Sequence, residues 1–502
     1  MRRRLPLLAP VLRYGVEHVG HATSTSVPLR HRAWSSAFAS VDDCLKSLVN
    51  HEKTGVPRGA GTDSDAGFDM GRMHRLLRDF GDPHMGYQTI HVSGTKGKGT
   101  TVSVLASVLR AAGLKVGTYK SPHVYSVAER IRSVGEDHDE SRDVLEVLNK
   151  LGPFIEVAQK RECGQLSYFE VLTGLAFEYF RRKNVDFAII EVGLGGIRDA
   201  TNVLRPENLE AAVITHIGEE HLDALGGSIE TIVQAKAGIS HRARPVFCAP
   251  NVDRRVSQLL KDALDARGAD VVDSVRAEIR LLGYRTRGTT LLQELDINVW
   301  MQGEPSIQLS RVGVALIGPH QRENIGTALR LLYWLRVNKG LYLSAEEIRI
   351  GLESTRSLGN FEVFAREKGA ELVADGAHTQ RSAEVLVQTL KETHPNRKLV
   401  FIVAMADDKD HHGFLRTVYT AQPLAVFCTQ IDVAGSSTRT TRATTLGSAY
   451  VPSMDAPRPV VQSSFDLAVK EALQCAVDDN AVVVVTGSLY TFVALRKALL
   501  IS

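Results

Sequence analysis

Gln88-Thr89-Ile90-His91-Val92-Ser93-Gly94-Thr95-Lys96-Gly97-Lys98-Gly99-Thr100 is the stretch on which the fold turns. Gln88–Val92 is apolar enough for a buried strand, and Thr101–Ala112 has the periodicity of a helix that Gly113 closes. Between them lies a loop of glycines and lysines. A strand, such a loop and a helix together form a phosphate cradle. Glycines let the backbone come close, the helix start offers free N–H groups, and Lys98 supplies a point charge. The strict Walker spacing fails, because Val92 stands where the first glycine belongs and Gly99 follows Lys98. The plain alternative is a tight strand-to-helix turn with surface lysines.

The chain alternates in both directions from this stretch. Upstream, Val41–Leu48 and Phe68–Phe80 read as helices, with a glycine-rich loop over 53–67 between them. Downstream come a helix over Tyr168–Arg182 and strands over Asp186–Glu191 and Ala211–Thr215. A helix over Ser228–Ala237 and a strand over Arg244–Ala249 follow. This rhythm predicts a mostly parallel sheet with helices on both faces. Residues 280–317 change character, since Thr289–Met301 and Ser306–Ile317 alternate apolar and polar residues as antiparallel strands do. A helix over Glu323–Leu335 precedes a break at Ser357–Asn360. A second series then runs through Glu371–Ala374, Arg381–Thr393, Lys398–Ala404, Leu424–Phe427, Ala481–Thr486 and Leu489–Leu499.

A length of 502 residues exceeds what one core usually serves, so two domains are expected. With 44% hydrophobic and 23% charged residues the composition is globular, and no apolar run is long enough to make a membrane a partner. The net charge of +3 is uneven, because six arginines and one acid fall within residues 1–40. An Arg-rich, Ser/Thr-bearing, acid-poor leader has the profile of an organelle transit peptide, with mitochondrion favoured over plastid or cytosol. The folded body is left without the basic excess of a nucleic-acid binder. The five cysteines are scattered without metal spacing, which predicts reduced thiols.

The spelling Val-Ser-Gly-Thr-Lys-Gly-Lys-Gly-Thr-Thr resembles the nucleotide loop of the folylpolyglutamate synthase and dihydrofolate synthase family, relatives of the Mur ligases. The resemblance continues in order through Ser121-Pro122-His123 with Glu129-Arg130-Ile131-Arg132. It includes Glu191-Val192-Gly193-Leu194-Gly195-Gly196 with Asp199-Ala200-Thr201-Asn202, then His221, then Lys236-Ala237-Gly238. It ends with His320-Gln321 and Asn324, Asp375-Gly376-Ala377-His378, Asp408-Lys409-Asp410 and Thr486-Gly487-Ser488-Leu489-Tyr490. It implies an α/β, Mur-ligase-like fold: a P-loop parallel-sheet ATPase domain over 41–356, then a smaller Rossmann-like domain over 360–502 that closes over ATP and glutamate. It implies that ATP is held by Gly94, Thr95, Lys96, Gly97, Lys98, Gly99 and Thr100, with Asn324, Asp375 and His378. Mg2+ would be held by Ser121, Glu191, His221 and Lys236, the lysine carbamylated. A pterin would be held by Ser167, Phe169, Asp199 and Ala200. The residues it implies for catalysis are Lys98, Glu191, His221, Lys236 and His378, in a monomer.

Three positions depart from the family pattern: Ala235 stands for a usual Glu, Asn360 for a usual Arg, and Thr379 for a usual Asn. Arg356 and Arg366 are the nearby cations that could take over from Asn360. The Gly-Leu-Gly-Gly, Arg-Asp-Ala-Thr-Asn and Asp-Gly-Ala-His-Thr spellings look closest to plant-type dihydrofolate synthase. The expected reaction is therefore ligation of L-glutamate to dihydropteroate through an acyl phosphate. Folylpolyglutamate synthase, alone or as a second activity, is the alternative within the class. A non-catalytic nucleotide-binding relative is the alternative outside it.

Overall fold

The computed structural model describes residues 40–501 apart from 124–125, 134–138, 252, 365–369, 434–438, 451–452 and 455. Residues 1–39 of the leader and Arg366 lie outside the described residues.

Seven strands build the first sheet: β1 (Gln88–Ser93), β2 (Val116–Tyr119), β3 (Ile131–Arg132), β4 (Phe187–Glu191), β5 (Leu209–Ile214), β6 (Pro245–Cys248) and β7 (Asp270–Val271). Their order is β3-β2-β4-β1-β5-β6-β7, parallel except for the β2–β3 pair. β4 and β5 are buried along their whole length, as a sheet covered on both faces requires. β1 lies between them, with Val92 in register with Glu191 on one side and Val213 on the other. The chain moves to opposite sides of β1 after it, so a crevice opens at its carboxyl end, where such sheets bind ligands.

The helix after β1 begins at Lys98, three residues earlier than expected, so Lys98, Gly99 and Thr100 form its first turn. The antiparallel stretch also starts earlier. β8 (Val275–Arg287), β9 (Thr290–Met301) and β10 (Ile307–Val314) form a three-stranded sheet, and helix Pro319–Asn338 follows. Leu295, Ile297 and Val299 of β9 pack with Ile325, Leu329 and Leu332 of that helix in one core.

The second sheet uses β11 (Glu362–Phe364), β12 (Glu371–Ala374), β13 (Leu399–Val403), β14 (Ala425–Cys428), β15 (Val460–Val461) and β16 (Val482–Thr486). Its order is β11-β12-β16-β13-β14-β15, with only β11 antiparallel. Helices Ser141–Arg161, Arg254–Ala266, His411–Tyr419 and Phe465–Asp478 were not expected. In the first, Gly152-Pro153 reads as a stop, yet the helix runs through it. Its buried stripe of Val144, Val147, Leu148, Leu151, Ile155 and Ala158 outweighs the proline.

Candidate active site

Three loops leave the carboxyl edge of the first sheet side by side, after β1, β4 and β5. The β1 loop is held by its neighbours. Gly94 has φ 145°, and a Cβ there would lie 1.8 Å from Thr215 Oγ1. Gly97 has φ 90°, and its Cβ would lie 2.2 Å from Asn324 Oδ1. Both positions therefore need glycine for conformation and for space. Thr95 N donates to the His216 carbonyl at 2.8 Å, and the Thr95 hydroxyl lies 3.0 Å from both the carbonyl and the N–H of Gly218.

Gly97 caps helix Lys98–Ala111 without a side-chain hydrogen bond. The first-turn N–H groups are left for an anion, at the positive end of the helix dipole. Thr100 is buried in that turn. Lys98 curls back over the loop, donating to the carbonyls of Gly94 at 3.2 Å and Thr95 at 3.4 Å. Its Nζ stands 3.9 Å from Glu191 Oε1. The expected cradle Gly94–Thr100 is thus one object with Glu191 and Asn324. The amide of Asn324 is oriented by donation from Nδ2 to Gln321 Oε1 at 3.0 Å.

Glu191 ends β4 with 4% of its surface exposed, and burial raises its pKa against the opposing pull of Lys98. Its Oε2 accepts from Ser121 N at 3.3 Å. A buried carboxylate in this state calls for a cation, and the backbone contact keeps Ser121 next to it. Among the described residues no group of three or more His, Cys, Asp and Glu gathers round one point. An oxygen donor such as the Glu191 carboxylate suits a hard ion such as Mg2+, which keeps several waters.

Lys236, 4% exposed on helix Ile229–Ala237, donates to the Gly94 carbonyl at 2.9 Å. Burial, helped by the charge of Lys98, lowers its pKa to about 7. His221 sits at the cleft mouth with φ 55°. Its side chain is exposed, and the desolvation by nearby protein atoms lowers its pKa to about 4. Lys409, Lys98 and Lys236 push it the same way, while Glu220 opposes.

The second sheet supplies the other wall. Asp375 follows β12, and its carboxylate accepts from Phe361 N and Ala377 N, both at 2.9 Å, so it ties down the connection between the sheets. His378 Nδ1 lies 2.8 Å from the Gly376 carbonyl and its Nε2 lies 3.2 Å from Lys96 Nζ. That pattern puts the ring proton on Nδ1 and leaves Nε2 to accept. Burial pushes the ring's pKa down to about 4. Glu220 completes the cluster, 2.5 Å from Lys96 Nζ and 4.0 Å from His378 Nε2. Sequence reasoning passed over Glu220; its place directly before His221 was the available signal.

Around Gly193 the structure brings together Phe169 and Asp199. A Cβ on Gly193 would lie 2.5 Å from Phe169 Cζ and 3.1 Å from Asp199 Oδ2. Phe169 also leans on Tyr119, with ring centroids 6.0 Å apart. Asp199 is buried and accepts from Leu194 N at 2.8 Å and Thr201 N at 3.0 Å, and Ala200 beside it is also buried. Ser167 is committed elsewhere, to the capping box of helix Tyr168–Lys183 with Glu170. Thr379 caps helix Gln380–Thr393, a role its hydroxyl fills. Asn360 donates to Ser357 Oγ at 2.7 Å, and Arg356 to the carbonyls of Glu353 and Thr355 at 2.9 Å.

Residues 92–332 match the Mur ligase middle domain, and residues 359–489 match the Mur ligase glutamate ligase domain. The chain is 29% identical over 463 residues to a dihydrofolate synthase/folylpolyglutamate synthase of Bacillus subtilis, covering 92% of this chain and all of that one. It is 32% identical to the Escherichia coli protein of the same name, covering 64% of this chain and 68% of that one. It also superimposes on the folylpolyglutamate synthase of Mycobacterium tuberculosis complexed with ADP, with TM-score 0.71, 27% identity, and 85% and 94% of the two chains covered. For the bifunctional synthase of Yersinia pestis complexed with AMPPNP and a Mn ion, the TM-score is 0.68 at 27% identity, over 87% and 95%. With the match carried across both halves and the site assembled between them, the chain belongs to the dihydrofolate synthase/folylpolyglutamate synthase family of Mur-type, ATP-dependent ligases.

Proposed function

We propose that this protein is a dihydrofolate synthase, joining the amine of L-glutamate to the carboxylate of 7,8-dihydropteroate with ATP. The observation that carries the substrate class is the pairing of Phe169 with the buried Asp199 about Gly193, on the loop that leaves the same strand as Glu191. A flat ring with N–H donors suits an aromatic face beside a carboxylate acceptor. The preference for dihydropteroate is supported by the Arg198-Asp199-Ala200-Thr201-Asn202 and Asp375-Gly376-Ala377-His378-Thr379 spellings. The relatives' double name supports a second activity on tetrahydrofolate as the other reading.

In this reading a dihydropteroate carboxylate oxygen attacks the γ-phosphorus and ADP leaves. The glutamate nitrogen then attacks the acyl carbon of the acyl phosphate, and phosphate departs as the amide forms. Lys98 and the first-turn N–H groups hold the phosphates in line, which supplies most of what phosphoryl transfer needs from a protein. Lys96 and His378 bring positive charge and a neutral imidazole to the other side of the transferred group. Mg2+, held by Ser121 and Glu191 with His221 and a carbamylated Lys236, would neutralise phosphate charge. The second wall over the cleft would keep water from the acyl phosphate. We assign the leader over residues 1–40 to mitochondrial import, which a fluorescent fusion of those residues tests directly.

The deciding assay supplies ATP, Mg2+ and glutamate with either dihydropteroate or tetrahydrofolate. Phosphate release that depends on dihydropteroate is expected. Turnover with tetrahydrofolate alone overturns the dihydrofolate synthase reading, and turnover with neither favours a non-catalytic nucleotide binder.

A further inference from the structure

Arg130 is the largest fully buried side chain of the described residues, and each of its three guanidinium nitrogens donates a hydrogen bond. Nη1 and Nη2 each donate to one carboxylate oxygen of Glu52 at 2.6 Å, and Nε donates to His123 Nδ1 at 2.9 Å. Glu52 lies on the four-residue helix His51–Thr54, in the segment that precedes the first sheet. The same residue faces the second domain. Its backbone carbonyl accepts from Arg439 Nη1 at 3.0 Å, and Arg439 Nη2 lies 3.1 Å from Asp408 Oδ1. Asp408 in turn pairs with Lys409 at 3.1 Å. An unbroken polar chain therefore runs Asp408–Arg439–Glu52–Arg130–His123 from one domain to the other. It ends two residues from Ser121, whose N–H is bonded to Glu191.

We propose that Glu52 is a positioning residue that ties the second domain to the loop Ser121–His123, so that closure of the cleft and the aiming of that loop are one event. The geometry has two consequences. Because Arg130 donates to Nδ1, that nitrogen accepts, and the neutral His123 ring carries its proton on Nε2 as a directed donor. Because the pair is bidentate and its Arg130 half is fully buried, the half-exposed Glu52 carboxylate has little freedom to move without Arg130, and Arg130 little without His123. Within this polar relay Arg439 is the residue that crosses between the domains, and with 29% of its side chain exposed it can be changed without opening the core. The sequence motifs around Arg130 and Asp408 thus gain a role that phosphate binding did not give them.

The test uses the full chain and the variants Arg439→Gln and Glu52→Gln, read by hydrogen–deuterium exchange and by steady-state kinetics. Losing one charge-assisted hydrogen bond should speed exchange of peptides covering residues 119–123 about tenfold in Arg439→Gln. The same variant should show a lower kcat at an unchanged KM for ATP, and adding Glu52→Gln should deepen neither effect beyond that of Glu52→Gln alone. Exchange in Arg439→Gln that matches the wild type overturns the coupling, and so does faster exchange at an unchanged kcat. Glu52→Gln alone does not decide, because it leaves buried Arg130 half-paired and can unfold the loop. The exchange readout needs no turnover, so it stands even where the proposed folate substrate fails.

Discussion

Lys96 of the phosphate loop reaches across the cleft to His378, Nζ to Nε2 at 3.2 Å, with Glu220 held against the same ammonium group at 2.5 Å. The contact joins the end of β1 to the end of β12, so the two sheets meet where the phosphates would lie. It also gives Lys96 a different duty from Lys98, which is turned back onto its own loop.

Lys96→Met removes a charge-assisted contact between the domains while leaving the loop's glycines in place. A contact of this type contributes about 1.5–3 kcal/mol, so kcat/KM for ATP should fall roughly 10- to 100-fold. Lys98→Ala should cost more in kcat, about 100- to 1,000-fold, since that charge stands over the loop to which phosphate binding is assigned in the proposed function. Steady-state kinetics on both variants checks the order, and a fully active Lys98→Ala enzyme would refute the role given to the loop.

Gly97→Ala combines a strained backbone with a collision. The residue has φ 90° and its Cβ would enter the space of the Asn324 amide. The left-handed conformation alone costs an alanine about 1–2 kcal/mol. Thermal unfolding should show a lower Tm and nucleotide binding should weaken. Asn324→Ala, which is itself expected to weaken binding, should relieve part of the Tm loss in the double variant. Strict additivity of the two changes in Tm would show that the packing is not as described.

How far the sequence reveals this site depends on the kind of residue. Gly94, Gly97, Lys98 and Glu191 were legible because backbone conformation and position at a strand end leave marks in short motifs. Ser167 shows the limit: it lies two residues before Phe169 in the chain, but its hydroxyl serves a helix cap. Glu220 had one local mark, its place before His221, while Glu52 and Arg439 had none. Their partners lie far away in the chain, with Glu52 and Arg439 separated by 387 residues, and no local pattern encodes such a pairing. Helix Ser141–Arg161 was hidden for the opposite reason, because the local stop signal at Gly152-Pro153 is overridden by burial of its apolar stripe.

Phe169→Ala tests the pterin side separately from the nucleotide side. The ring touches Tyr119 and the space over Gly193, away from the phosphate loop. An aromatic stacking contact adds about 0.5–1.5 kcal/mol beyond its buried area, so KM for dihydropteroate should rise several-fold to tenfold. KM for ATP should stay where it is. A variant in which both constants move together would argue that Phe169 is a core residue whose loss loosens the whole cleft.

Lys236 offers the sharpest test by pH. Its amine is buried against the Gly94 carbonyl, and burial lowers its pKa to about 7. Because the folded pKa lies below the usual lysine value near 10.4, the folded protein binds fewer protons than the unfolded chain between these limits. Stability therefore rises with pH from about 7 towards about 10, and the gain is absent below pH 7, where both states are protonated. The neutral amine is also the form that adds carbon dioxide to become a carbamate. Its share grows from about one-tenth at pH 6 to about nine-tenths at pH 8. Carbon-13 NMR with labelled bicarbonate should reveal one carbamate signal at pH 8 that fades towards pH 6 and is missing from Lys236→Ala. The Lys236→Ala enzyme should be nearly inactive and regain part of its rate with a small carboxylate such as acetate. A fully active Lys236→Ala enzyme, or a wild-type protein without the signal at pH 8, would leave the unmodified amine bonded to Gly94 as the working form and remove Lys236 from the metal's donor set.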